Sequence, residues 1–101
     1  MSDIVTAKVF VDSSLFIKSL DERADEYRKI ADSAQARGAI HHQFAVGDGF
    51  VLVIDEWESA AGFEKFFSDP ELRAFMGSVG ADPNVPPEVT VAKAVDAPDK
   101  F

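Results

Sequence analysis

The run Phe50-Val51-Leu52-Val53-Ile54-Asp55-Glu56-Trp57 decides how this chain folds. From Phe50 to Ile54 odd and even positions are alike apolar, whereas a strand with one wet face alternates apolar and polar side chains. The run therefore reads as a central strand covered on both sides. A domain with two helices can cover only one side of its sheet, so the sequence predicts a second copy of the chain against the other.

Before this strand, Gly47-Asp48-Gly49 separates it from another extended stretch, Ala39 to Val46. A three-residue connection with glycine last fits a type I turn plus a glycine bulge. Counting outward from that turn pairs Val46 with Phe50, Phe44 with Leu52, His41 with Asp55 and Ala39 with Trp57. A two-residue loop would shift the register and part His41 from Asp55.

The segment Ile4 to Val11 alternates Val5, Ala7, Val9 and Val11 with Ile4, Thr6, Lys8 and Phe10, which predicts the first strand. After a connector from Asp12 to Lys18, Ser19 stands three residues before Glu22, a capping-box spacing. Leu20, Ala24, Tyr27, Ala31 and Ala34 then recur at helical steps, giving a helix over about Leu20 to Arg37 that Gly38 ends. Beyond Trp57, Ser59 caps a second helix carrying Phe63, Phe66 and Phe67. Asp69-Pro70-Glu71 restarts it, and Leu72, Phe75, Met76 and Val79 continue its apolar stripe. Glu88 to Val95 is the fourth strand. The expectation is one α+β domain over residues 1–101: a ferredoxin-like βαββαβ unit, with an antiparallel four-stranded sheet and two helices on one face.

Composition narrows the function. With 18 acidic and 10 basic residues the net charge is -8, which repels nucleic acid and anionic membrane surfaces in the absence of a basic patch. The absence of cysteine removes disulfides, thiolate metal sites and thiol nucleophiles. No apolar run is long enough to span a bilayer and the first residues lack the pattern of a signal peptide, so a cytoplasmic location is expected. His41 and His42 are neighbours on a strand and point to opposite faces, so together they do not form a metal site.

The order βαββαβ, the phrase Val53-Ile54-Asp55-Glu56-Trp57-Glu58-Ser59 and the aromatics Phe63, Phe66 and Phe67 together resemble the antibiotic-biosynthesis-monooxygenase-like group of dimeric α/β barrels. The likeness covers nearly the whole chain as a pattern. It implies that two sheets join face to face in a homodimer, with helices outside and a ligand pocket between each sheet and its helices. Members of the group include cofactor-independent oxygenases of aromatic polyketides and quinols, haem-degrading enzymes and proteins with no assigned reaction. The haem-degrading branch uses an axial histidine on the second helix, and positions 58–80 contain none. No cofactor and no metal is therefore expected.

Within this frame His41 and Asp55 form the best acid–base pair, because a carboxylate beside an imidazole fixes its tautomer and supports proton transfer near neutral pH. The same two residues could instead be a hydrogen-bonded pair satisfying a sheet margin. The resemblance places Trp57 at the pocket wall, where it would stack on a planar aromatic ligand; core packing is its alternative role. Tyr27 projects from the apolar side of the first helix. Val53 and its small neighbours Ala7, Val9, Ala39, Ala45 and Val51 lie beneath Phe66 and the other large aromatics, which leaves either a cavity or a filled core. The expected function is a cofactor-independent monooxygenase acting on a small aromatic. A ligand-binding or structural dimer without catalysis, and a cyclase or isomerase on the same scaffold, are the alternatives.

Overall fold

In the computed structural model, which describes residues 1–101, β1 (Asp3–Phe10) alternates buried and half-buried side chains along its length. It pairs antiparallel with β3 (Phe50–Trp57) on one side and with β4 (Glu88–Lys93) on the other. β2 (Ala39–Gly47) flanks β3, so the sheet runs β2-β3-β1-β4. β3 is thus central, as its doubly apolar sequence predicts. Four helices accompany the sheet: α1 (Ser13–Glu22), α2 (Ala24–Ala36), α3 (Ala60–Phe67) and α4 (Pro70–Ser78). None is long and apolar enough to cross a membrane.

One sheet face carries the core. Val5, Ala7, Val9, Val51 and Trp57 are buried there, together with Phe16 from α1, Ala34 from α2 and Phe63 and Phe67 from α3. Fully burying a side chain of valine or phenylalanine size contributes about 1.5–3 kcal/mol, so this cluster is the main source of stability. The other face presents Ile4, Phe10, Phe50, Leu52 and Ile54 half-buried, with no helix of the chain over them.

The hairpin differs from expectation in a way that changes the chemistry. Gly47 pairs with Phe50, so the loop is the two residues Asp48-Gly49, and the ladder continues as Phe44–Val53, His42–Asp55 and His41–Glu56. Gly49 takes the turn position at φ 83°, a conformation glycine adopts freely. Gly47 is the last ladder residue of β2, and the Phe50 ring occupies the space where a Cβ would lie there, so the position takes glycine. Near the far end of β2 the register shifts by one between Ala39 and His41, which leaves Ile40 as the extra residue and restores the expected pair Ala39–Trp57. Such bulges are common on edge strands, where the unpaired residue costs little. The predicted pairing therefore holds only beyond the bulge. His41 lies on the outer face opposite Glu56, and His42 and Phe44 lie on the helix-covered face. Ala45, opposite Leu52, is likewise on the outer face.

The first helix also starts earlier than its periodicity suggested. Asp12 is the N-cap, its carboxylate accepting from the Leu15 amide at 3.0 Å, and the segment read as a connector is α1. Ser19 caps nothing; it is buried inside α1 and donates its hydroxyl hydrogen to the Phe16 carbonyl at 2.5 Å. Hydroxyl back-bonding of this kind bends helices, and the chain turns at Arg23 before α2 begins. Gly38, at φ 110°, ends α2 as expected, and Asp69 caps α4 with Pro70 in its first turn.

Asp3, buried at the start of β1, joins three elements. Its carboxylate accepts from the Ala60 amide at the start of α3 at 2.7 Å and pairs with Lys93 of β4 at 2.9 Å. The Lys93 ammonium, then the Ala60 amide, hold its carboxyl below the usual aspartate range. Because the unfolded value is about 3.9, the charged Asp3 stabilises the fold above that pH, and the contribution is lost as pH falls through the lower folded-state value. In thermal melts between pH 5 and pH 2, Asp3→Asn is expected to lose stability less steeply than wild type. Parallel pH profiles would contradict this role.

Candidate active site

Between the sheet and its helices lies a cavity of about 470 Å3, lined mainly by apolar side chains. The aromatic side chains at and behind its walls come in two groups. Tyr27 of α2 meets Phe75 of α4 edge-on at 5.0 Å, and Phe16 of α1 and Phe44 of β2 complete this group at centroid separations of 5.2 to 6.2 Å. In the second group, Phe63 stacks on Phe67 at 5.1 Å, and Trp57 packs on Phe63 and Phe66 at 5.8 and 5.5 Å. Small residues, among them Val9, Val51, Val53, Ala31 and Ala34, line the space as well. A slot with aromatic side walls and small neighbouring residues suits a flat, apolar molecule.

An imidazole and a carboxylate line the sheet side of the cavity, and Tyr27 and Arg28 line it from α2. Asp55 is buried, and its two carboxylate oxygens have different partners. Oδ1 lies 2.7 Å from His42 Nδ1, and Oδ2 accepts from Trp57 Nε1 at 3.1 Å. An ionised carboxylate only accepts, so in a neutral His42 ring the Nδ1 carries the hydrogen and Nε2 keeps its lone pair. The His42 side chain is 39% exposed and packs edge-on against Phe44 at 4.6 Å. His42 thus reaches both the cavity and the solvent, while Asp55 and Trp57 orient it from beneath. This is the carboxylate–imidazole arrangement that serves as a general base.

Of the residues singled out from sequence, Asp55, Tyr27, Phe66 and Val53 line the cavity. His41 does not: the two-residue turn puts it on the opposite face, and its neighbour His42 takes the place beside Asp55. Trp57 is fully buried behind the wall and does not line the cavity; it packs beneath α3 and reaches the site through its hydrogen bond to Asp55. The sequence reading puts His42 and Phe44 on the outer face, with His42 at a dimer interface, and passes over Phe16; the structure places all three at the cavity. The dipeptide Asp48-Gly49 was the signal for the first two, since a two-residue hairpin turn puts His42 beside Asp55. Asp12-Ser13-Ser14, a run of capping residues before Leu15 and Phe16, was the signal for the third. No three His, Cys, Asp or Glu side chains come together to hold a metal ion.

No protein-family model matches the chain, and no curated protein sequence matches it. Solved structures do share its fold. A crystal structure of an antibiotic biosynthesis monooxygenase aligns with 95% of this chain and 100% of its own, at 16% identity and a TM-score of 0.59. The ActVA-Orf6 monooxygenase of Streptomyces coelicolor, in complex with the ligand nanaomycin D, covers 95% of this chain and 89% of its own at 18% identity, with a TM-score of 0.67. SnoaB, a cofactor-independent oxygenase from Streptomyces nogalater, covers 98% and 97% at 11% identity, with a TM-score of 0.60. The chain therefore has the ferredoxin-like α+β fold of the antibiotic biosynthesis monooxygenases.

Proposed function

We propose that the chain is a cofactor-independent monooxygenase acting on a small hydroxylated aromatic, of quinol or polyketide type, held in the cavity between sheet and helices. The observation that carries this reading is the His42–Asp55 pair at an aromatic-walled slot. His42 Nε2 takes a hydroxyl proton from the bound ring, and the electron-rich anion left behind reduces dioxygen. One oxygen atom enters at a ring CH2 carbon to give a carbonyl and the other leaves as water with that carbon's two hydrogens. The substrate supplies all the electrons, so the scheme calls for no flavin, haem or metal. Trp57 is a positioning residue, since its indole N–H holds the Asp55 carboxylate toward His42.

A second copy of the chain completes the fold in this reading. Leu52, Ile54, Phe10 and Phe50 form an apolar outer face that no helix covers, and pairing two such faces gives a barrel with the helices outside. Light scattering is expected to return twice the 11.0 kDa chain mass, and Leu52→Glu to return a single chain. A monomeric wild type at micromolar concentration would contradict the pairing.

Oxygen uptake with a hydroxylated anthrone, which carries both a ring hydroxyl and a ring CH2, tests the activity. His42→Ala is expected to lower the rate by about 10²–10⁴-fold, the usual contribution of a general base, and Trp57→Phe by less, whereas His41→Ala stays within about twofold because His41 faces away from the cavity. Ligand binding without oxygen consumption would replace the oxygenase with a binding protein. Substrate conversion without consumption would replace it with a cyclase or isomerase.

A further inference from the structure

The second polar contact at the cavity lies on α1 and α2, away from the His42–Asp55 pair. Ser19 Oγ is 2.5 Å from the Phe16 carbonyl and 2.8 Å from Tyr27 Oη. A serine hydroxyl has one hydrogen and a carbonyl can only accept, so Ser19 spends its hydrogen on Phe16. The only hydrogen left for the Ser19–Tyr27 contact is the tyrosine's own. Ser19 is 4% exposed, which leaves little room for water to offer a competing arrangement. Three edge-on contacts, to Phe16, Phe44 and Phe75, hold the Tyr27 ring in place. Burial pushes the Tyr27 hydroxyl above the ordinary tyrosine value, so it remains a phenol at neutral pH.

We propose that Ser19 fixes the hydrogen-bond polarity of Tyr27 and makes it a specificity determinant, with the phenol oxygen offering the cavity only a lone pair. A ligand oxygen that meets Tyr27 must then bring its own hydrogen. Neutral His42 presents a lone pair as well, through Nε2, so Tyr27 and His42 are both acceptors. Of the other polar residues on the lining, Arg28 has its guanidinium paired with Asp25 at 2.8 Å and Gln43 stands opposite Ile54, at an outer-face position of β2. At Tyr27 and His42 the cavity selects aromatic rings bearing free hydroxyls over their methyl ethers and over quinones, whose oxygens can only accept. Carbonyl products are poorly matched to the site that forms them, which favours their release. This inference rests on reading the cavity as the binding site for a hydroxylated aromatic.

Calorimetric titration under anaerobic conditions tests it without turnover, using 1,4-naphthalenediol and 1,4-dimethoxynaphthalene as probes. Wild type is expected to bind the diol at least about tenfold more tightly than the ether, the usual effect of leaving a buried polar group unpaired. In Ser19→Ala the Tyr27 hydrogen is free to turn toward the ligand, and the preference is expected to narrow at least about threefold. Tyr27→Phe is expected to weaken the diol and leave the ether unchanged, and it decides the matter alone if circular dichroism shows Ser19→Ala unfolded. A preference untouched by either folded variant overturns the proposal. Selective diol binding with no oxygen uptake on the hydroxylated anthrone overturns the oxygenase reading alone, and failure of both probes to bind overturns the two together.

Discussion

Everything at the candidate site depends on the register between β2 and β3. Side chains alternate along a strand, so a shift of one residue exchanges every side chain of β2 between the two faces of the sheet. With Asp48-Gly49 as the turn, His42 and Phe44 join Val53 and Asp55 beneath the helices. The bulge at Ile40 absorbs the shift before Ala39 and keeps it opposite Trp57. The sheet can thus seat its small residues under the aromatics of α3 while turning one histidine into the cavity and the other out of it.

Asp55 shows why that placement matters chemically. A buried carboxylate is costly unless its oxygens find donors, and here each oxygen has one, His42 on one side and Trp57 on the other. The same contacts that satisfy the carboxylate settle which ring nitrogen of neutral His42 is left available. Structural satisfaction and a capacity for proton transfer are one arrangement. Tyr27 repeats the pattern at the other polar contact, where its bond to Ser19 decides what its oxygen can offer a ligand.

Much of the fold was legible in the sequence, because it rests on periodicity. The alternation in β1, the doubly apolar β3, the Asp69-Pro70 cap and the glycine after α2 each have a local physical cause, and each is where the sequence placed it. The start of α1 was misread because Ser19 and Glu22 imitate a capping box, while the true cap, Asp12, stands before residues that break the apolar stripe. The site was legible only in part. Asp55 could be picked out as the acid that shares a strand face with Val51, Val53 and Trp57, but its partner depended on whether Gly47 belonged to the turn or to the ladder. Gly47-Asp48-Gly49 satisfies the local pattern of a three-residue turn as well as a two-residue one, and the Phe50 ring lying over Gly47 in the ladder is not visible in that pattern. Asp3 gave no signal at all, since its role comes from α3 and β4 arriving beside it.

The register is open to direct measurement by cross-strand nuclear Overhauser effects between β2 and β3 in solution. The account predicts backbone contacts that join His42 with Asp55, Gln43 with Ile54 and Phe44 with Val53. Contacts joining His41 with Asp55 and Phe44 with Leu52 instead would contradict it, and would take His42 out of the cavity along with the chemistry assigned to it.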